Sequence, residues 1–544
     1  PVILKRAHAL HNALCELEIG IEPQELIVGN RTKGVRYGVV FPESGISWVD
    51  EELETLPTRP QDKFLVRPQD IQTFREVIKP YWKGKSLEDV LKQRYGEEIS
   101  AIATVVKINQ KDHAQGHICP NVKEWLEKGP AGLKEEAQHH LAACTKEQRP
   151  FYESIVLVMD GVCKFLMRYH DELYREAKKH AEWKQDMEEV ARICKRLSMQ
   201  PAKTFHEAVQ SLWILFVVLH MESNASSFSP GRLDETLYPY YKNDLQEGRI
   251  DEQRALDIIE CLWLKFNQIV YLRNKNSAKY FAGFPIGFNI AVGGQDENGN
   301  DLCNELSFLF LKAQEHIGLP QPNLSVRLHR HSGDELLKQA VRVVAKGSGM
   351  PQFFNDEAII SEMEKLGISH KDAMDYAIVG CVELTTQGNN LGWSDAAMFN
   401  LNKVLELTLH HGKCLLSGKQ LGPDLGGLDT YRSYEELEAA FDGMIDHFIQ
   451  RMIPACEQVE KAHIDILPSP FLSSVIDDCM ERGLDVTQGG AHYNLSGIQM
   501  IQVANLADSL AAIKCMVYDK KLIAPKELQA ALEHNFEGSE ILRQ

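Results

Sequence analysis

The chain has 544 residues, 44% hydrophobic and 25% charged, the balance of a globular protein with a sizeable core. A formal net charge of -18 and the lack of any long basic run argue against nucleic acid and anionic membrane surfaces as partners. No run approaches the roughly 18 consecutive apolar residues of a membrane span, and the opening PVILKRAHAL has neither an initiator Met nor a signal-peptide layout.

In chain order, residues 1 to 28 predict a helix, a turn at Glu22-Pro23 and a short apolar run. Residues 29 to 65 predict an ordered loop. Apolar periodicity then predicts helices over 71–79, 87–95, 148–197 and 205–220. The segment ESNASSFSPGRLD breaks that pattern, and a buried helix is expected over 251–268. A strand over 288–292 runs into the Gly293-Gly294 turn. Helix 305–316, strand 324–328, helix 334–346, an extended 352–354, helix 357–366 and strand 376–380 then alternate. Such alternation predicts α/β units with a mainly parallel sheet or barrel. Helices return over 397–411, 433–464 and 503–516, and no repeat or linker marks an internal domain boundary.

The stretch 376–407 is the one around which the chain is organised. Its apolar strand Tyr376-Ala377-Ile378-Val379-Gly380 leads into Cys381-Val382-Glu383, then a loop with Gly388, Asn389, Asn390 and Gly392. Asp395 precedes a periodic segment, 396–407, that predicts a helix with a carboxylate near its N-terminus. If the chain stays extended, alternation puts the Cys381 sulfur and the Glu383 carboxylate on one face. A cysteine two residues before an acid also arises by chance, and most cysteines are buried and inert.

Other signals are weaker. The twelve cysteines are scattered with no CxxC, the usage of free thiols in a reducing cytosol. P-loop, GxGxxG, HExxH and GxSxG patterns are absent. The pairs His139-His140, His329/His331 and His410-His411 read as solvated or packed histidines, so no metal is expected. His117 stands in the polar loop KDHAQGHICP, where function concentrates. Two readings from other classes remain open on these residues alone. One is a thiol hydrolase or transferase with Cys381 as nucleophile and His117 as base; the other is a catalytically silent scaffold.

Gly380-Cys381-Val382-Glu383 resembles the GCVE motif of glycyl radical enzymes, in the dehydratase and lyase branch that includes glycerol and propane-1,2-diol dehydratases and isethionate sulfite-lyase. Further landmarks run in family order along the chain. They include Glu25-Leu26-Ile27-Val28-Gly29-Asn30, Gly231-Arg232-Leu233-Asp234, Leu319-Pro320-Gln321-Pro322 and Gly489-Gly490-Ala491-His492-Tyr493-Asn494. The resemblance implies a ten-stranded α/β barrel of two five-stranded halves, wrapped by helices, as a single domain over 1–544. It implies a second loop, close to RVxGY, whose glycine stores a radical installed by a radical S-adenosylmethionine iron-sulfur activase. No such stretch occurs here, so the chain is expected to be truncated at both ends, without the glycine radical domain and with no cofactor of its own. It further implies a small-molecule substrate, the activase as partner, room for a homodimer, and a cytoplasmic or microcompartment setting in an anaerobic bacterium or archaeon.

By the same resemblance Cys381 matches the thiyl cysteine and Glu383 the base that deprotonates the substrate hydroxyl. His117 and Asp395 match substrate-binding positions that hold and protonate a leaving hydroxyl. Ser226, or a neighbour, falls where hydroxyproline dehydratase offers an aspartate, which argues against a cationic amine. Gly287 falls where relatives place a ring, which would enlarge the pocket. Lys111 and Gln115, four apart, would favour a sulfonate. A 1,2-diol dehydratase is the preferred expectation, with an isethionate-type sulfite-lyase as the alternative.

Overall fold

The computed structural model describes residues 1–544, which group into two compact units. The first holds 1–87, 113–394 and 463–495; the second holds 88–112, 395–462 and 496–544. Helices and three small sheets make the chain α/β.

In the first unit, helix Phe205–Glu222 is the core element, with only Met221 not fully buried. A helix apolar on every side must sit inside the fold. Its start is set by a capping box, in which the Thr204 hydroxyl accepts from Glu207 N–H and the Glu207 carboxylate accepts from Thr204 N–H, each at 3.2 Å. The single helix expected over 148–197 is two, Arg149–Ala177 and Lys184–Leu197, packed on one another. One unbroken rod would leave the second apolar stripe, Met187, Val190, Cys194 and Leu197, with nothing to cover it; reversal at 178–183 buries it.

Strands β2 (Asn289–Gly293), β3 (Asn323–Leu328) and β4 (Gln352–Asn355) form a parallel sheet. Strands β5 (Tyr376–Val379) and β6 (Glu383–Thr386) form an antiparallel hairpin in which Val379 faces Glu383. Arg327 of β3 locks the start of that hairpin. Its guanidinium forms a bidentate pair with Asp356, at 3.0 and 2.9 Å, and donates to the carbonyls of Met374 and Tyr376, both at 2.9 Å. Tyr376 OH donates to the same Asp356 carboxylate at 2.8 Å.

In the second unit, β1 (Val106–Ile108), β7 (Trp393–Asn400) and β8 (Ser496–Ile501) pair in the order β1-β7-β8, where β7 enters the unit at Asp395. This corrects the expected helix over 396–407. Residues 397–399 pair with 106–108, and the helix begins only at Leu401, with Asn400 as its cap accepting from Lys403 N–H at 3.0 Å. Ala396 and Ala397 favour helix as isolated residues, but ladder pairing with buried Val106 and Ile108 outweighs that preference.

Candidate active site

The hairpin tip Gly380-Cys381-Val382 carries the candidate chemistry, and its shape is forced. Gly380 has φ +62°, and a Cβ there would stand 2.5 Å from His117 Cδ2, so only glycine fits. The chain therefore turns at Gly380 instead of staying extended, and alternation is not what joins the thiol to the acid. The Glu383 carboxylate folds back onto the tip, where its Oε2 accepts from Cys381 N–H at 2.9 Å and Val382 N–H at 3.1 Å.

Two amides hold the other side of the same peptide. Asn289 and Asn323, registered partners on β2 and β3, donate Nδ2 to the Gly380 carbonyl at 3.1 and 2.8 Å. Ser325 Oγ fixes Asn289 through its Oδ1 at 2.9 Å, and Ser229 Oγ accepts from the N–H of Gly380 at 3.4 Å and of Asn289 at 3.2 Å. The Gly380–Cys381 peptide is thus held at its C=O by Asn289 and Asn323 and at its N–H by Glu383, while Ser229 holds the N–H of the peptide before it. Sequence reading missed Asn289, Asn323 and Ser229. The sequence shows Asn289 and Asn323 only as polar residues within the strand runs FNIAVGG and PNLSVRL, which does not by itself mark them as partners of Gly380.

His117 completes the cluster. Its backbone has φ +62° and its N–H donates to the Ser226 carbonyl at 2.9 Å. Its Nε2 lies 4.0 Å from Glu383 Oε2, with both side chains about nine-tenths buried, and its buried Nδ1 has no protein partner. Cys381 is exposed, the one exposed cysteine of twelve, so it does not share the enclosure of the acid and the histidine. Cys119, packed with Ala377 and Val379 under the hairpin, shows the contrast: burial, with some help from Asp375, pushes its thiol far up and leaves it inert.

The first unit therefore brings together Cys381, Glu383, His117 and the Ser226 backbone. Gln115, buried two residues before His117, lines a small cavity with Ser223, His463, Ser469 and Thr487. Beside Gly287 the space is filled by Ser227, whose Oγ stands 2.3 Å from where a Cβ would be. Lys111 and Asp395 belong to the second unit; Lys111 is half-buried, and Asp395 on β7 accepts from Asn109 Nδ2 at 2.7 Å. No helix of the chain is long and apolar enough to cross a membrane.

A family model described as Pyruvate formate lyase-like matches residues 1–544. The chain is 32% identical over 560 residues to (2S)-3-sulfopropanediol dehydratase of Klebsiella oxytoca, spanning 100% of this chain and 68% of that protein. It is 30% identical over 570 residues to isethionate sulfite-lyase of Oleidesulfovibrio alaskensis, with 100% and 68% covered. The glycerol-bound B12-independent glycerol dehydratase of Clostridium butyricum superposes with a TM-score of 0.95 at 35% identity, over 99% of this chain and 69% of that one.

Proposed function

The chain belongs to the pyruvate formate lyase-like family, among its glycyl radical enzymes of the GCVE branch, and from that premise we propose that it dehydrates a vicinal diol at Cys381, Glu383 and His117. Its activity is that of a radical lyase or dehydratase acting on a small molecule. The observation that carries the diol reading is the convergence of a buried carboxylate and a buried histidine on the tip that bears the exposed thiol. The sheets are read as parts of a ten-stranded barrel in two five-stranded halves, a reading the solved relatives support.

A glycyl radical, installed by a radical S-adenosylmethionine activase, would supply the oxidising equivalent that makes Cys381 a thiyl. Cys381 Sγ then takes a hydrogen atom from the hydroxyl-bearing carbon, forming S–H as C–H breaks. The α-hydroxy radical is more acidic than the alcohol, and Glu383, aimed by two backbone N–H groups, takes its hydroxyl proton. The ketyl expels the neighbouring hydroxyl, which leaves as water with a proton from His117. The remaining carbon radical recovers its hydrogen atom from Cys381, and the product is an aldehyde. Gln115, two residues before His117 in the same unit, is assigned to the far end of the substrate, and for Asp395 and Lys111 the family resemblance alone suggests substrate-binding roles.

The activated intact protein should turn a vicinal diol into an aldehyde. Glu383→Gln should lower kcat by about 10²–10⁴, the usual range for removing a general base, while the glycyl doublet in electron paramagnetic resonance keeps its intensity. Sulfite release from a hydroxysulfonate, with no aldehyde from any diol, would replace the dehydratase reading with C–S cleavage. Lys111→Ala would then be more damaging than Asp395→Asn.

A further inference from the structure

Arg273 belongs to a segment, 268–285, held by four arginines in a chain whose net charge is -18. The Arg31 guanidinium donates to the Val270 carbonyl, the Arg36 backbone N–H to Gln268 O at 2.8 Å, and Arg59 Nη1 to Arg273 O at 2.7 Å. Arg273 itself donates Nη2 to Pro285 O at 2.9 Å, two residues before Gly287. The neighbouring Ile286 carbonyl accepts from Ser227 N–H at 2.8 Å, and Ser227 follows the Ser226 carbonyl that receives His117. Arg273 is thus tethered to the wall of the site.

The guanidinium is built in but not neutralised. It lies 4.9 Å from the ring centres of both Tyr271 and Phe281, a placement that suits a cation. Its Nε is buried without an acceptor, and no carboxylate forms an ion pair with it. Asp62 and the Cys381 thiol lie within electrostatic range, and burial is the main influence, holding the guanidinium below the usual arginine value. Arg273 is half-buried with its Nε fully enclosed, and a partly desolvated charge without a counter-ion favours the arrival of a group that pairs with it. Arginine forks match the oxygens of carboxylate, sulfonate and phosphate.

We propose that Arg273 holds an oxyanion on the substrate, so that the diol turned over at Cys381 carries a carboxylate, sulfonate or phosphate group. This rests on the lyase reading and specifies the substrate class of the same site. The acid and histidine act on the two hydroxyls, and Arg273 fixes the third substituent.

The test is calorimetric titration of the intact, unactivated protein with propane-1,2-diol, glycerate, glycerol 3-phosphate and 2,3-dihydroxypropane-1-sulfonate. At least one anionic diol should bind about tenfold or more tighter than propane-1,2-diol, the scale of one charge-assisted bidentate contact. Arg273→Gln should bring that ratio to within about twofold, and Arg273→Lys should keep part of it. Equal affinities in the native protein, or a preference that survives Arg273→Gln, would overturn the proposal. A preference abolished by Arg273→Gln, without turnover by the activated enzyme, supports the oxyanion site and counts against the lyase reading.

Discussion

Arg327 and Arg273 carry the same group into the same unit and meet opposite surroundings. Arg327 is 0% exposed, and so is its partner Asp356; two carbonyls and the Tyr376 ring, 3.8 Å from the guanidinium carbon, complete the shell. Arg273 has one carbonyl, two rings and no carboxylate partner. The first arrangement satisfies its charge internally and leaves nothing for a ligand, so its role is to fix β5 and the hairpin tip. The second leaves the charge to be answered from outside. A cation beside the candidate site is informative about ligands only when the protein has not already paired it.

Breaking the satisfied pair should have the largest effect. Arg327→Met leaves the Asp356 carboxylate buried without its cation and should cost about 3–5 kcal/mol in denaturant unfolding. Arg327→Met with Asp356→Leu should recover most of that, since removing both charges removes the uncompensated one. A single substitution costing under about 1 kcal/mol would mean that the pair is not what holds the hairpin.

Glu222 offers an intermediate case, a buried carboxyl with backbone N–H donors on its oxygens and the Arg6 guanidinium nearby. Its oxygens accept from Phe471 N–H at 2.8 Å and Leu472 N–H at 3.0 Å, yet burial pushes it up to about 7. The folded state then holds a proton that the unfolded chain releases near 4.5, so stability falls as pH rises from about 4.5 to 7 and levels off above. The expected drop is about 3 kcal/mol. Glu222→Gln should lack that component when unfolding free energies at pH 5 and pH 8 are compared with the native protein. Identical pH dependence in the two proteins would show that the two N–H donors suffice to compensate the charge.

Legibility in the sequence followed the range of the forces involved. Helix Phe205–Glu222 and strand Tyr376–Val379 were readable because local apolar content decided them. The residues 393–400 were not, because Ala396, Ala397 and Met398 become strand only by pairing with β1, far away in the chain. Cys381, Glu383 and His117 were legible through a family resemblance. Their junction rests on Gly380 turning at positive φ and on a carboxylate folding back, which no periodicity encodes. Asn289, Asn323 and Arg273 were silent for the same reason: one amide in a strand or one arginine in a loop acquires meaning only from what stands opposite it.

The smallest expected change in stability comes from Arg273, and it is the most diagnostic. Arg273→Met removes one hydrogen bond to Pro285, worth about 1 kcal/mol. It also removes a charge that burial disfavours, as the lowered guanidinium value indicates, and keeps apolar length against Tyr271 and Phe281. Loss and gain oppose each other, so ligand-free stability should change by no more than about 1 kcal/mol, in either direction. That is a fraction of the Arg327→Met effect from the same guanidinium in the same unit. A loss of about 3 kcal/mol or more in the ligand-free protein would mean that Arg273 is as fully used by the fold as Arg327. Its charge would then not be waiting for a substrate.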